Sequence, residues 1–180
     1  MQNLKILNSK EKKNFFLLIQ KQFGCMPESD YAYLKNKDNK IYIITKDFSK
    51  LNNSNLAFDS VGMYLGALTN DGFRPSIEGS QIIGKTAAKN IVEISKEKLR
   101  QWIRGKDITP DSFEAKEEQH SKLKKQLNAK TEKSKKLNKK ESEKGIVIVK
   151  CKKDCAGSGK ILPGKILNYI PKARIISSND

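Results

Sequence analysis

The chain has 180 residues, with 36 Lys and Arg against 20 Asp and Glu and a formal net charge of +16. Such an excess is usually neutralised by a polyanion, so RNA, DNA and an anionic membrane surface are all candidate partners. The alternative explanation of the positive charge is that the source organism has a lysine-rich proteome. No stretch reaches the roughly 20 apolar residues that cross a bilayer, and the N-terminus lacks a signal peptide's apolar core. A cytoplasmic or nucleoid location is therefore expected, and no membrane partner is predicted.

The cysteines and the histidine give little support for a metal or catalytic site. Three cysteines are an odd number, which argues against a disulfide framework, and Cys151 and Cys155 lack the second pair typical of zinc sites. His120, the only histidine, lies in a charged run, so no nucleophile has a positioned base. The sequence therefore predicts a protein without metal, cofactor or catalytic residue, and not an enzyme.

The beginning of the chain predicts a helix. Asn8 and Glu11 have the spacing of a capping box, and Gly24 stands where a C-terminal cap is expected. The apolar residues between them recur at helical spacing and are expected in the core. They are Phe15, Leu18, Ile19 and Phe23.

The following residues predict the rest of a mixed α/β domain over residues 1–89. Strands are expected at 31–34 and 40–45, joined by a polar hairpin loop, and again at 61–68. A short helix is predicted through Phe48 and Leu51. Near Ile82 a helix and a strand are hard to separate, and Pro75 at a first helical position favours the helix.

A second domain is predicted over residues 90–180. It begins with a strand at 91–94, followed by a helix that Ser95 caps and Gly105 ends. A return strand starts at Lys106, and a buried strand follows at 146–149. Residues 114–144 are rich in Lys and Glu and are expected to be a charged insert, either a solvated helix or a disordered loop.

The glycine-rich segment near the C-terminus suggests phosphate binding but not nucleotide hydrolysis. Gly157, Gly159 and Lys160 resemble the end of a phosphate-binding loop. However, Asp154 and Ile161 stand where such a loop requires Gly and Ser or Thr.

Cations around these glycines and at the end of the second-domain helix are candidates for binding RNA phosphates. Cations near a helix C-terminus also stabilise the helix dipole, which is the alternative role for those on the helix. The glycines would allow close approach of the backbone, and an asparagine could contact a base edge or sugar hydroxyl. The predicted RNA-binding residues are Arg100, Arg104, Gly105, Lys106, Gly157, Gly159, Lys160, Lys165, Asn168, Lys172 and Arg174.

Three aromatic residues are candidates for stacking on bases. They are Phe73, Trp102 and Tyr169. Trp102 shares a helix face with Leu99 and is better explained as a core residue, whereas the role of Tyr169 stays open.

Two passages carry a resemblance to a known family. Residues 62–66 and 72–76, together with the helix ending at Gly105 and the Gly159–Lys172 tail, resemble the PUA-like RNA-binding region of RsmF- and Sun-type RNA cytosine-5 methyltransferases. The arrangement also resembles a eukaryotic large-subunit biogenesis factor that joins an α/β domain to a PUA domain. The resemblance implies an α+β protein: a mixed domain followed by a PUA-like β-pseudobarrel that contains the charged insert.

The resemblance implies a function in rRNA or tRNA maturation. Such methyltransferases carry reactive cysteines after proline and after threonine, whereas Cys25, Cys151 and Cys155 follow Gly, Lys and Asp. We therefore expect a free-standing, non-catalytic module that binds structured RNA, an rRNA precursor or a tRNA, beside a methyltransferase or ribosome-assembly proteins. Two alternatives are a protein-interaction adaptor that uses the charged insert and an RNA-modifying enzyme with an unrecognised site.

Overall fold

The computed structural model describes residues 4–47, 62–109 and 145–176. Over these ranges the chain forms three α-helices and two β-sheets, which confirms the α+β class. None of the described helices has the length and hydropathy of a transbilayer segment. The elements are β1 (Lys5–Ile6), α1 (Ser9–Phe23), β2 (Tyr31–Lys35), β3 (Lys40–Thr45), β4 (Met63–Thr69), β5 (Gly72–Pro75), α2 (Ile77–Gly84), β6 (Ile91–Glu93), α3 (Lys96–Ile103), β7 (Gly145–Cys151), β8 (Asp154–Leu162), β9 (Lys165–Asn168) and a 3₁₀ helix (Lys172–Arg174).

Helix α1 begins and ends as the sequence predicts. The side chain of Asn8 accepts a hydrogen bond from the Glu11 N–H at 2.9 Å, and the Asn8 N–H donates to the Glu11 carboxylate at 2.9 Å. Gly24 ends the helix in the left-handed conformation, with φ at 70°, which costs glycine little because it has no Cβ. Both predicted caps are confirmed.

The first sheet is antiparallel, with the strand order β1-β2-β3-β4-β5. Helix α1 packs against it through Phe15, whose ring lies 5.1 Å from that of Phe73. The side chain of Gln22 donates to the Phe73 carbonyl at 2.8 Å and accepts from its N–H at 2.9 Å. These contacts fix the helix on β5, and burying each large apolar side chain contributes about 1.5–3 kcal/mol.

Helix α2 exists, as Pro75 favoured, but its first residue, Ile77, lies two positions after Pro75. Pro75 is the last residue of β5, and Ser76 is the N-cap, where its Oγ accepts a hydrogen bond from the Gly79 N–H at 2.8 Å. A serine hydroxyl satisfies one of the free N–H groups of the first turn. Because proline supplies only a favourable φ, Ser76 determines where helix α2 starts.

The second sheet has the order β6-β7-β8-β9, and only its β6–β7 pair is parallel. Helix α3 is capped by Ser95 and lays Trp102 against the sheet, fully buried. The Trp102 indole N–H donates to the Ala156 carbonyl at 2.9 Å. Of the predicted return strand, the described residues 106–109 form one bridge, between Ile108 and Ile166.

The two sheets share a buried contact. The hydroxyl of Ser158 on β8 donates to the Pro75 carbonyl on β5 at 2.7 Å. A Cβ added at Gly84 on α2 would lie 2.4 Å from the Cys155 sulfur, so the glycine permits α2 to pack on β8. The chain changes from one sheet to the other between α2 and β6. The division at residue 89 and the PUA-like pseudobarrel stay predictions.

Two predicted segments lie outside the described residues. They are the helix through Phe48 and Leu51, and the charged insert at 114–144 that contains His120.

Candidate nucleic-acid interface

The end of helix α3 and the C-terminal tail lie side by side. The Ile176 N–H donates to the Ile103 carbonyl at 3.1 Å, and a Cβ added at Gly105 would lie 2.5 Å from the Ile175 side chain. Asn168 donates from its side-chain amide to the Trp102 carbonyl at 2.7 Å and to the Lys106 carbonyl at 3.1 Å. These contacts join two stretches that are about 60 residues apart in sequence.

This junction collects exposed cations. We call the surface that they form the basic face, which consists of Arg104, Lys106, Lys165, Lys172 and Arg174. Arg100 lies one turn earlier on α3 and is also exposed, whereas Lys160 lies on β8 and is half-buried.

Acidic residues neutralise three of the predicted cations. Lys165 pairs with Asp107 at 3.1 Å, Lys160 pairs with Asp71 at 2.6 Å, and Arg174 contacts Glu78. By contrast, Arg104, Lys106 and Lys172 form no ion pair with any residue in the described ranges.

The ion pairs affect ionisation but contribute little to stability. The Asn168 N–H and then Lys165 hold the pKa of Asp107 below its ordinary value, and the hydrogen bond to Asp71 raises the pKa of Lys160. Solvent-exposed pairs of this kind contribute only about 0–1 kcal/mol. A phosphate can therefore compete for the cation at low cost.

The glycines predicted to approach RNA serve packing instead. Gly157 and Gly159 are buried in β8, and a Cβ at Gly159 would lie 2.8 Å from the Trp102 ring. Gly105 adopts φ of 75° against Ile175 at the end of α3. The small size of Gly159 and Gly105 lets the protein's own elements approach one another, and a φ of 115° favours glycine at position 157. The candidate surface therefore consists of cations.

The side chain of Asn168 is also engaged within the protein. Its amide donates to two carbonyls of the α3 end, and its oxygen accepts from the Ile170 N–H at 2.7 Å. Asn168 therefore positions the tail, and its contact with a base or sugar stays a prediction.

A cleft of about 470 Å³ opens between the strand–helix junction β5–α2 and the tail. Its lining is formed by Tyr64, Arg74, Pro75, Ser76, Ile77, Glu78, Ser158, Tyr169, Ile170, Pro171 and Arg174. The Arg74 guanidinium lies 5.1 Å from the centroid of the Tyr169 ring. Burial raises the pKa of the Tyr64 phenol, an effect that nearby Arg74 partly opposes.

Sequence reasoning missed most of this cleft. Arg74 stood in a passage that carries the family resemblance, but nothing near it in the sequence indicates that its partner is Tyr169, 95 residues further on. Phe73, predicted as a stacking residue, is fully buried and cannot meet a base. Trp102 is confirmed as a core residue.

The cysteines lie apart from the cleft. Cys25, Cys151 and Cys155 are free and buried, and burial raises the pKa of the Cys25 and Cys155 thiols. A buried thiol with a raised pKa forms little thiolate and is a poor nucleophile. Over the described ranges no three His, Cys, Asp or Glu side chains gather as metal ligands.

Comparison with known proteins shows a distant similarity. The chain is 21% identical over 173 residues to Ribosomal RNA small subunit methyltransferase F of Aeromonas hydrophila subsp. hydrophila. The similarity covers 96% of this chain but 30% of that protein, so the chain spans about a third of its relative's length. No protein-family model matches the chain.

This relative overturns the prediction that the chain is not an enzyme. The matched protein is a methyltransferase, so the similarity points towards an enzyme family. The chain is distantly related in sequence, over nearly its whole length, to part of an rRNA methyltransferase.

Proposed function

We propose that the chain binds ribosomal RNA, as the RNA-binding part of an rRNA methyltransferase. The observation that carries this proposal is the meeting of the α3 end with the tail, because these two stretches carry Arg104, Lys106 and Lys172, which have no acidic partners among the described residues. The relative's name supports the choice of rRNA, because that protein methylates small-subunit rRNA.

Binding would start with phosphates on the basic face. Each cation that meets a phosphate releases condensed counterions, which makes the affinity depend on salt. Arg104 can hold two phosphate oxygens at once, whereas Lys106 and Lys172 act as point charges. Lys165 and Arg174 join when a phosphate replaces the carboxylate. The same proposal assigns the second sheet to a PUA-like RNA-binding fold.

The proposal predicts salt-dependent binding to rRNA. We expect fluorescence anisotropy with a labelled small-subunit rRNA fragment to give a log–log salt slope of about −2 or steeper, since each single-strand contact adds about −0.7. Unlabelled rRNA fragment should displace the probe better than tRNA of equal length. A flat salt response, or no binding at low salt, would contradict the proposal.

A further inference from the structure

We infer that the cleft holds one unpaired nucleotide of the bound RNA, with its base stacked beside the Arg74–Tyr169 pair. This inference rests on the proposed function and specifies the form of RNA that the protein prefers. It concerns the cleft, whereas the proposed function rests on the basic face.

The platform for a base consists of flat groups at the cleft wall. Arg74 lies 5.1 Å from the Tyr169 centroid and also close to Tyr64, whose ring in turn contacts that of Tyr42 at 5.4 Å. Unstacked bases of single-stranded RNA stack on aromatic rings and on arginine planes. A cation already held over Tyr169 keeps this platform ordered before RNA arrives.

The rest of the cleft suits a base that has left its stack. Pro75, Ile77, Ile170 and Pro171 provide apolar walls. Glu78 and Arg174 contact each other at the cleft lining. The Glu78 carboxylate is therefore a hydrogen-bond acceptor that lies beside the N–H donors of the Arg174 guanidinium. Carboxylates accept from exocyclic amines of bases, and arginine donates to their ring and carbonyl acceptors.

Size and charge both favour a nucleotide over a duplex. A cleft of about 470 Å³ lies in the range of small-molecule sites. Double-stranded RNA is bound across its wide minor groove and does not present an isolated base. Lys160 lies on β8, the strand that contributes Ser158 to the cleft lining, so it can receive the phosphate beside the stacked base by exchanging Asp71.

The test compares two RNA hairpins with the same stem, one fully paired and one with a single bulged 2-aminopurine. We expect the wild-type chain to bind the bulged hairpin about tenfold more tightly and to quench its fluorescence. Tyr169→Ala should abolish both the preference and the quenching but leave the affinity for the paired hairpin unchanged.

Two further variants separate the cleft from the basic face. Arg74→Lys keeps the charge but removes the planar group, and we expect it to reduce the preference. It also provides a second variant if Tyr169→Ala fails to fold. Lys172→Ala should weaken binding of both hairpins equally, because it removes a phosphate contact.

The outcomes are distinguishable. Equal affinity of the wild-type chain for both hairpins, without quenching, overturns the inference and leaves the proposed function standing. Failure of the chain to bind either hairpin at low salt overturns both. A preference that survives Tyr169→Ala and Arg74→Lys also overturns the inference, because the unpaired base is then recognised elsewhere.

Discussion

Replacing Trp102 by alanine is expected to lower the free energy of unfolding by about 3–5 kcal/mol. The side chain is 0% exposed and packs against the buried glycines of β8. Truncation would leave a cavity between α3 and β8 and would deprive the Ala156 carbonyl of its 2.9 Å hydrogen bond. Since small domains have only about 5–15 kcal/mol of stability, the loss would be a large fraction of the total.

Urea unfolding followed by far-ultraviolet circular dichroism measures this loss, because the variant removes the only tryptophan. Trp102→Phe is the matched control, because it keeps most of the apolar contact. It should lower the free energy of unfolding distinctly less than Trp102→Ala. A loss below about 1 kcal/mol for Trp102→Ala would contradict the core assignment. If Trp102 stacked on bases instead, Trp102→Phe would weaken RNA binding, whereas the core assignment predicts no change.

Reversing the three cations without acidic partners is expected to weaken RNA binding by about 100-fold or more. The variant combines Arg104→Glu, Lys106→Glu and Lys172→Glu. All three side chains are exposed, so stability should change by about 0.5 kcal/mol or less per site. The salt slope should also become shallower by about 2, since three phosphate contacts are lost.

The matched control makes the same change in net charge on another surface. Lys10, Lys13 and Lys21 are exposed on helix α1, and their reversal to glutamate should weaken binding far less. Equal losses in the two triple variants would mean that overall charge, and not the basic face, determines affinity. That result would contradict the proposed site.

Local sequence signals predicted local structure well. The capping box of Asn8 and Glu11, the end of α1 at Gly24 and the Ser95 cap of α3 all depend on residues within one turn. Strand β3 was predicted with the same bounds, because its apolar run is closed by polar residues on both sides. Trp102 was assigned to the core from its helix face alone.

Long-range pairing was not predictable from the same signals. The glycines of β8 indicated a loop that approaches RNA, but their burial depends on Trp102, more than 50 residues earlier. The pairs Lys160–Asp71 and Arg174–Glu78 join residues 89 and 96 positions apart. Net charge and spacing do not indicate which cation pairs with which acidic residue. The number of unpaired cations in the tail was therefore overestimated from the sequence.

The parallel pairing of β6 with β7 shows the same limit. Residues 91–93 pair with 148–150 across α3 and the charged insert. Their composition predicts a strand but not the partner, because a parallel pair needs a crossover whose path the strand residues do not determine.

Lysine-specific covalent labelling with and without rRNA, read out by mass spectrometry, tests the central claim most directly. We expect RNA to protect Lys106 and Lys172 strongly from labelling, and Lys160 and Lys165 as well. The control residues Lys10 and Lys13 should stay reactive. Protection of the α1 lysines, with those at the junction of α3 and the tail left reactive, would contradict that claim.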